Sequence, residues 1–293
     1  GAVQLVPLFE LGQVNFRQDA TTFEQVQSYA FPERRVLTLA LPNFFGNPAH
    51  HGTADPFTLN RIDFTVDAAG NPNPTSEWGI KNYVEGGIYL GILPLLLAIL
   101  GVIGGWLAKG ARRAHTIFFT SLSLLSLAFI FGTPLYALIY YGLPFANQLN
   151  TPFRWVFPLT LCVAVLAGFG VDGMQRLEIG DWRLGPFNLQ SLISNLTIFG
   201  GLVVLAGLMT SWVAYGRFTP LITRLFNGLA LANTGFADAG EFYSYQFWQI
   251  LIFGLMLFGS GIILWLGKNK PQSTQRSQRK SWFPSASSAL SAV

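Results

Sequence analysis

Five long apolar runs constrain what this chain can fold into more than any other feature of its sequence. They cover residues 88–108, 116–141, 152–171, 192–215 and 246–267. Each is close to the length of about 20 residues that an α-helix needs to cross the hydrocarbon core of a bilayer. Backbone groups at that depth must find hydrogen-bond partners within their own segment, which favours helices. The sequence therefore predicts an all-α integral membrane protein with about five transmembrane helices.

The composition agrees with this prediction. Charged residues make up 11% of the chain, against about 25% in ordinary soluble domains. The net charge is +4, but the basic residues stand at loop ends and form no stripe, so we expect no nucleic-acid partner. The single cysteine, Cys162, lies inside an apolar run and has no second cysteine with which to form an intrachain disulfide.

The connections between the apolar runs differ in charge, and this difference predicts the orientation. Short cytoplasmic loops of membrane proteins are rich in Lys and Arg. In a five-span protein the first connection, the third connection and the tail 268–293 share one side, and together they hold most of the basic residues. These are Lys109, Arg112, Arg113, Arg176, Arg183, Lys268, Lys270, Arg276, Arg279 and Lys280. We therefore place that side in the cytoplasm, and the acidic segment 1–87 on the outer side.

Short interfacial helices are predicted on the outer side. Residues 31–41 suggest an amphipathic helix lying on the bilayer. The stretch that follows is dense in Gly, Pro, Asn and Asp, which predicts loops, with a short strand over 61–66. Thr219 and Pro220 are typical of an N-cap followed by Pro at the first helical position. They predict the start of an apolar helix that is too short to span the membrane. Within the second run, Gly132-Thr133-Pro134 predicts a kink or an early end.

Arg154 is the most notable candidate for binding. It lies at the outer end of the third run, among aromatic residues and prolines. A guanidinium at that depth can reach the headgroup layer as an anchor, or it can hold a phosphate with two hydrogen bonds. Glu10 and Arg17 stand seven residues apart, which places them on one face if that segment is helical. They can form part of a polar site at the membrane surface, or a simple salt bridge.

Other polar groups are weaker candidates. His50, His51 and Asp55 lie in a loop, but adjacent histidines of an extended chain point apart, so we predict no metal site there. Glu85, Asp238 and Glu241 lie near outer ends of the runs, where a carboxylate base would be needed for chemistry on that face. We expect no cofactor, because no histidine lies within an apolar run to ligate a haem.

Four segments together resemble a known family. They are AVQLVPLFELGQVNFR, LALPNFFG, YVEGGIYLGILPLLLAILG and LPFANQLNTPFRWVFPLTLCVAVLAGFGVDGM. In order and approximate spacing they are similar to the central part of YfhO-like bacterial membrane proteins, over roughly residues 2–175. Those proteins are related to the lipid-linked-sugar glycosyltransferases of the C superfamily.

The resemblance implies a multi-pass enzyme of the bacterial cytoplasmic membrane. It would move a sugar from a polyprenyl-phosphate carrier to a cell-envelope acceptor on the outer face. The family places an acidic catalytic residue in the first outer loop, which we expect upstream of this sequence. The positions matching the family pattern are Glu10, Arg17, Asn43, Gly46, Tyr89, Pro152, Arg154 and Gly170. Among them, Arg17 and Arg154 are suited to a phosphate.

Three hypotheses for function follow. The first is the glycosyltransferase, with membrane lipid and a polyprenyl-phosphate-linked sugar as its partners. The second is a non-catalytic accessory subunit, held by helix contacts in a larger membrane assembly with protein partners. The third is a lipid or saccharide transporter, which the scarcity of charge within the apolar runs disfavours.

Overall fold

The structure, a computed structural model, describes residues 7, 10, 22–79, 83–142, 151–176, 183–184 and 187–268. Helices dominate the described part. In chain order the α-helices are α1 (Phe23–Ser28), α2 (Tyr83–Gly86), α3 (Ile92–Leu107), α4 (Ala111–Ile130), α5 (Ala137–Gly142), α6 (Val156–Arg176), α7 (Leu189–Val213), α8 (Tyr215–Gly228), α9 (Ala232–Gly235) and α10 (Ala239–Lys268). The 3-10 helices are Glu33–Leu39, Pro134–Tyr136 and Pro152–Trp155. The strands β1 (Gly52–Ala54) and β2 (Arg61–Asp63) pair antiparallel, as do β3 (Arg183–Leu184) and β4 (Phe187–Asn188).

Four helical segments of the described chain are long and apolar enough to cross a membrane. They are Ala111–Ile130, Pro152–Met174, Gln190–Val213 and Ala239–Gly267. They coincide with the last four predicted spans, and an integral membrane protein built of helices is confirmed at this level. The run 88–108 forms only the 16 residues of α3, which are about 24 Å long and shorter than the predicted span. Gly91 and Gly110 flank α3 with φ of 85° and 70° and redirect the chain.

Local chemistry explains where two of the long helices begin and end. The second predicted span ends early, at Ile130, because Gly132 takes a φ of 62° and Pro134 then opens a separate 3-10 turn. The last helix begins at Ala239, seven residues before the predicted start at 246. Asp238 caps it, because its Oδ1 accepts hydrogen bonds from the backbone N–H groups of Gly240 (2.7 Å) and Glu241 (2.8 Å).

Two predictions about short helices were wrong in detail. The helix predicted to begin at Thr219-Pro220 begins at Tyr215, so that Pro220 lies inside α8. The segment 31–41 forms a 3-10 helix whose buried side is polar: Arg35 and Thr38 face inward, while its apolar residues Val36 and Leu37 are exposed. The short strand predicted over 61–66 is confirmed in part, as β2.

Helices α3, α4 and α6 form one packed group, and α7 pairs with α10. Glycines bring α3 and α6 unusually close. A Cβ atom added at Gly101 would lie 2.0 Å from the carbonyl oxygen of Leu166, and one added at Gly170 would lie 2.0 Å from that of Leu97. The small residues therefore allow close backbone contact. Gly168, on the same helix as Gly170, has open space around its Cβ position.

Contacts at one end of the helices bring together the connections that the charge pattern had grouped. Arg112, at the start of α4, forms an ion pair with Asp172 near the end of α6. Gln190, at the start of α7, donates a hydrogen bond to the carbonyl of Leu264 near the end of α10 (3.0 Å). The first and third connections and the end of α10 therefore lie at a common end, which we call the basic end.

A cap covers the opposite end of the helices. We define the cap as residues 22–79 together with α8 and α9. Trp248 of α10 donates to the carbonyl of Ala54 (2.6 Å), and Trp212 of α7 donates to the carbonyl of Pro56 (3.0 Å). A cluster of buried aromatic residues fills the interior of the cap against α10. Its members are Phe45, Phe64, Trp78, Phe226, Phe236, Phe242 and Tyr245.

Candidate functional site

Two adjacent arginines of the cap, Arg34 and Arg35, form the most unusual polar feature of the described chain. They follow Pro32, which begins the 3-10 helix with an extended conformation. Both guanidinium groups lie against the ring of Phe45, with their central carbons 5.6 and 5.5 Å from its centroid. Arg35 is 2% exposed. An aromatic face attracts cations, so Phe45 partly offsets the cost of removing two positive charges from water.

Glycines make room for the Arg35 guanidinium. A Cβ added at Gly79 would lie 1.6 Å from Nη2 of Arg35, and one added at Gly86 would lie 1.9 Å from Nη1. The group is therefore enclosed between two positions where any larger residue would displace it. Burial lowers the pKa of Arg35, while the carboxylate of Glu77 opposes this shift and the charge of Arg34 adds to it. Glu77 thus acts as a counterion for Arg35.

Arg34 has hydrogen-bonding capacity that the described chain does not use. Its Nη1 donates to the carbonyl of Ala230, just after α8, at 3.0 Å. Its Nε and Nη2 are buried, and no described residue accepts a hydrogen bond from them. Loss of water around this guanidinium lowers its pKa. Buried charged donors without acceptors are costly and uncommon in folded proteins, and an anionic oxygen is their strongest acceptor.

Trp78 and Glu77 extend this polar feature. Trp78 is 1% exposed, and its ring centroid lies 4.9 Å from that of Phe45. Its Nε1 is also buried and has no acceptor among the described residues. Oε1 of Glu77 is likewise buried, and no described residue donates a hydrogen bond to it. We call Arg34, Arg35, Glu77 and Trp78 the arginine cluster. It contains two positive charges and one negative charge in a largely dehydrated place.

A hydrogen-bonded network beside the cluster attaches the cap to α10. The Nδ1 atom of His50 lies 3.0 Å from the hydroxyl of Tyr245, which in turn donates to the carbonyl of Asn43 (3.3 Å). Tyr83 donates to the side-chain oxygen of Asn43 (3.3 Å). Burial lowers the pKa of His50, and the neighbouring His51 lowers it further. The imidazole is therefore neutral near pH 7 and serves as a fixed hydrogen-bonding group.

The residues predicted to bind phosphate lie in different situations. Arg154 is exposed on the 3-10 helix Pro152–Trp155 and forms no side-chain hydrogen bond or ion pair with a described residue. It lies at the same end as the cap, because its neighbour Phe153 stacks on Phe31 with ring centroids 5.4 Å apart. Glu10 is helical and exposed. Arg17 lies outside the described residues, so its predicted pairing with Glu10 stays a prediction.

The candidate bases are mostly used in local structure. Asp238 caps α10, and Glu241 accepts a hydrogen bond from the backbone N–H of Ala237 (2.5 Å). The side chain of Glu85 lies outside what the structure describes. Asp55 accepts hydrogen bonds from the backbone N–H of Phe57 and the hydroxyl of Thr58, which stabilises a turn. These carboxylates are therefore engaged in shaping the cap.

The histidine pair does not assemble a metal site with its described neighbours. His50 contacts Tyr245, whereas the Nδ1 of His51 lies 3.0 Å from the carbonyl oxygen of Pro74. Within the described ranges, no three His, Cys, Asp or Glu side chains come together as metal ligands would.

Sequence reasoning missed the arginine cluster. Residues 31–41, which include both arginines, were predicted as an interfacial amphipathic helix, and that assignment gave no reason to expect a buried Arg35. The signal against that assignment lies elsewhere in the chain, in Gly79 and Gly86, whose missing side chains make the space for Arg35.

No family model matches this chain, and no curated protein or solved structure matches it either.

Proposed function

We propose that this chain is a multi-pass protein of a bacterial cytoplasmic membrane that handles a polyprenyl-phosphate-linked sugar on the outer face, in the manner of a glycosyltransferase. In this proposal the cap lies outside and the basic end lies in the cytoplasm. The orientation is supported by Lys109, Arg112 and Arg113 at the basic end, as the positive-inside rule requires. If a reagent that cannot cross the intact cell membrane labels the segment 109–113, the basic end lies outside. That result would contradict the proposed orientation and the proposal that depends on it.

The observation that carries the proposal is the unused binding capacity of Arg34. Its Nε and Nη2 are buried, and no described residue accepts a hydrogen bond from either. The N–H groups of these two atoms form a parallel pair, and guanidinium groups bind phosphate through such pairs. The site lies in the cap, at the end of the spanning helices, where the phosphate of a membrane-anchored carrier is found. Arg154, exposed at the same end, offers a first contact for the same phosphate.

The proposed chemistry is a single displacement at the sugar. A hydroxyl oxygen of the acceptor attacks the anomeric carbon and forms the new glycosidic bond. The bond from that carbon to the carrier phosphate breaks, and its electron pair leaves with polyprenyl phosphate. A carboxylate takes the hydroxyl proton. Guanidinium groups stabilise the negative charge that develops on the departing phosphate, which is where positive charge lowers the barrier.

The resemblance to YfhO-like proteins implies an acidic residue as the base, and we assign that role to no described carboxylate. Asp55 and Asp67 of the cap hold turns, and Asp238 caps α10. Glu77 belongs to the arginine cluster itself, where its carboxylate lies near Arg35 as a counterion. Glu10 and Arg17 would belong to the same outer layer as further carrier contacts.

A non-catalytic accessory subunit is the alternative, and one observation favours it. Asp55, Asp238 and Glu241 all have carboxylate oxygens bound to backbone N–H groups of their own turns. A protein that binds the carrier lipid without transferring the sugar needs the arginines but no base. Such a protein would pass the carrier to partner proteins in the membrane.

Binding of the carrier by the complete protein tests the proposal. We expect Arg34→Gln to weaken binding of polyprenyl phosphate in nanodiscs by roughly 10- to 100-fold, as for loss of one charge-assisted pair. Arg154→Ala should weaken it less, since an exposed contact contributes less. Arg61→Gln is the matched control, because Arg61 is an exposed cap arginine that pairs with Asp63.

The outcomes separate the alternatives. Unchanged binding by Arg34→Gln would remove the arginine cluster from the carrier site and with it the observation that carries the proposal. Carrier binding by the parent protein without transfer of the sugar to any envelope acceptor would favour the accessory subunit. Because the Arg34 donors are buried, we also expect carrier binding to change amide hydrogen exchange in residues 33–39.

A further inference from the structure

The turn between β1 and β2 combines two unfavourable features in one residue. Leu59 has a φ of 59°. In this left-handed conformation the Cβ atom of any residue other than glycine is crowded by the backbone. Leu59 is also 70% exposed. Backbone strain of this kind persists where the surroundings enforce it and points to a functional constraint. Phe57, two residues earlier, is 44% exposed, so the turn presents two large apolar side chains.

Contacts with the end of α7 fix the position of this turn along the helix axis. The Phe57 ring stacks on Trp212, with centroids 6.3 Å apart and an angle of 12° between the planes. It also meets the edge of Tyr215 at 5.0 Å. Trp212 lies in the last turn of α7, a helix suited to crossing the membrane. Trp and Tyr concentrate where a span leaves the hydrocarbon core, so the turn lies at that level.

Helix α8 continues the same surface. It follows α7 after Ala214 and buries Phe226 in the aromatic cluster of the cap and Ile222 against α7 and α10. Leu221 and Leu225 are one turn apart on its exposed side, each about half exposed. Arg217 and Arg224, seven residues apart, are exposed next to them. Apolar and basic residues thus share the exposed side of a short helix, where an arginine can extend to the headgroup layer while the leucines beside it stay in apolar surroundings.

We propose that Phe57, Leu59, Leu221 and Leu225 form a leaflet-contact surface that lies in the boundary between lipid headgroups and acyl chains. Its occupant is the lipid of the leaflet on the cap side. The surface is continuous with the exposed side of α7, where Val213 is largely uncovered. Arg217 and Arg224 are placed for the headgroup phosphates above it. This inference depends on the spanning helices and does not depend on sugar transfer.

Lipid accounts for features that a protein partner does not. The strained turn holds Leu59 outward from the β1–β2 hairpin, next to aromatic rings that mark the membrane boundary. Phe57 contacts the end of α7 through Trp212, and α8, which carries Leu221 and Leu225, follows that end after Ala214. This surface is continuous with the exposed side of α7. When α7 spans a membrane, the lipid that surrounds α7 therefore also contacts this surface.

Site-specific fluorescence in lipid tests the proposal. An environment-sensitive thiol dye is attached to Leu59→Cys or Leu225→Cys in the complete protein in nanodiscs, in which a fraction of the lipids carries a nitroxide high on the acyl chain. Ala69→Cys is the matched control, since Ala69 is exposed at another turn tip of the cap. Leu161→Cys, exposed in the middle of a span, reports full lipid contact. The parent chain, whose Cys162 is buried, gives the labelling background.

We expect emission at positions 59 and 225 to shift to shorter wavelength and to be lost to the lipid nitroxide, as at 161, while position 69 is quenched by a water-soluble nitroxide instead. Quenching of 59 and 225 by the water-soluble reagent to the same degree as 69 would overturn the proposal. Protection from both quenchers would overturn it as well, because it would identify a protein as the occupant. Leu59→Cys can alter the conformation of the strained turn. Position 225 lies outside that turn, so Leu225→Cys gives an independent result.

Discussion

Replacement of Gly170 by Ala should separate the spanning helix α6 from the shorter helix α3. The new Cβ would lie 2.0 Å from the carbonyl oxygen of Leu97, whereas ordinary contact begins at 3.4 Å. Helices α3 and α6 must therefore move apart by about 1.4 Å, and a gap of that size forfeits much of the dispersion energy along the contact. Overpacking of this kind costs about 1–3 kcal/mol. We expect a value near the upper limit, because the obstructing atom belongs to the backbone of a helix and cannot rotate away.

Gly168→Ala provides the control on the same helix. Its Cβ has no neighbour within 4 Å, so the substitution should be neutral, or stabilising by up to roughly 1 kcal/mol through helix propensity. Gly101→Ala should resemble Gly170→Ala, since its Cβ meets the Leu166 carbonyl oxygen at 2.0 Å. The double variant should cost less than the sum, because one separation of the helices relieves both contacts.

Equilibrium unfolding in mixed micelles, with SDS as the denaturing detergent, measures these differences through tryptophan fluorescence. The variants are compared at the same protein and detergent concentrations. If Gly170→Ala and Gly168→Ala unfold with free energies within about 0.5 kcal/mol of each other, the close contact between α3 and α6 is refuted.

Two more predictions concern charged groups at the two ends of the molecule. Arg112→Ala should destabilise the protein by about 1–3 kcal/mol in the same unfolding assay, since Arg112 pairs with Asp172 and donates to the carbonyl of Phe169 at 2.8 Å; the exposed neighbour Arg113, changed to Ala, should have little effect. His50 should make stability depend on pH. Because its pKa is lowered from 6.5 in the folded protein, the unfolded chain binds a proton first, so stability is full above pH 6.5 and decreases as the pH falls below it. His50→Gln should flatten that decrease, and a persistent slope in this variant would assign it to another group.

The spanning helices could be predicted from the sequence because the hydrocarbon core imposes a simple rule of length and polarity. The breaks were harder to place. Pro220 suggested a helix start, since Pro is common at the first helical position. Helix α8 begins earlier, where α7 ends, and Pro220 is its sixth residue, where the missing N–H removes one hydrogen bond of the helix. The short α3 depends on the conformations of Gly91 and Gly110, which a sequence does not show.

The candidate site could be predicted only in part. Arg154 stands at the end of a spanning helix, and its exposed place there follows from its position in the sequence. The burial of Arg35 depends on Gly79 and Gly86, far along the chain, and on the ring of Phe45. Local sequence favoured the opposite arrangement, with Val36 and Leu37 buried. Tertiary contacts of this kind outweigh local amphipathicity because they determine where space for a large cation exists.

Helix α10 has 30 residues, which correspond to about 45 Å, against about 30 Å for the hydrocarbon core. Gln246 and Trp248, near the cap end of this helix, donate to the carbonyls of Phe44 and Ala54. One continuous helix thus connects the cap directly to the basic end. A tilt of that helix at the basic end would be carried to the opposite side as a displacement of the arginine cluster relative to the lipid surface.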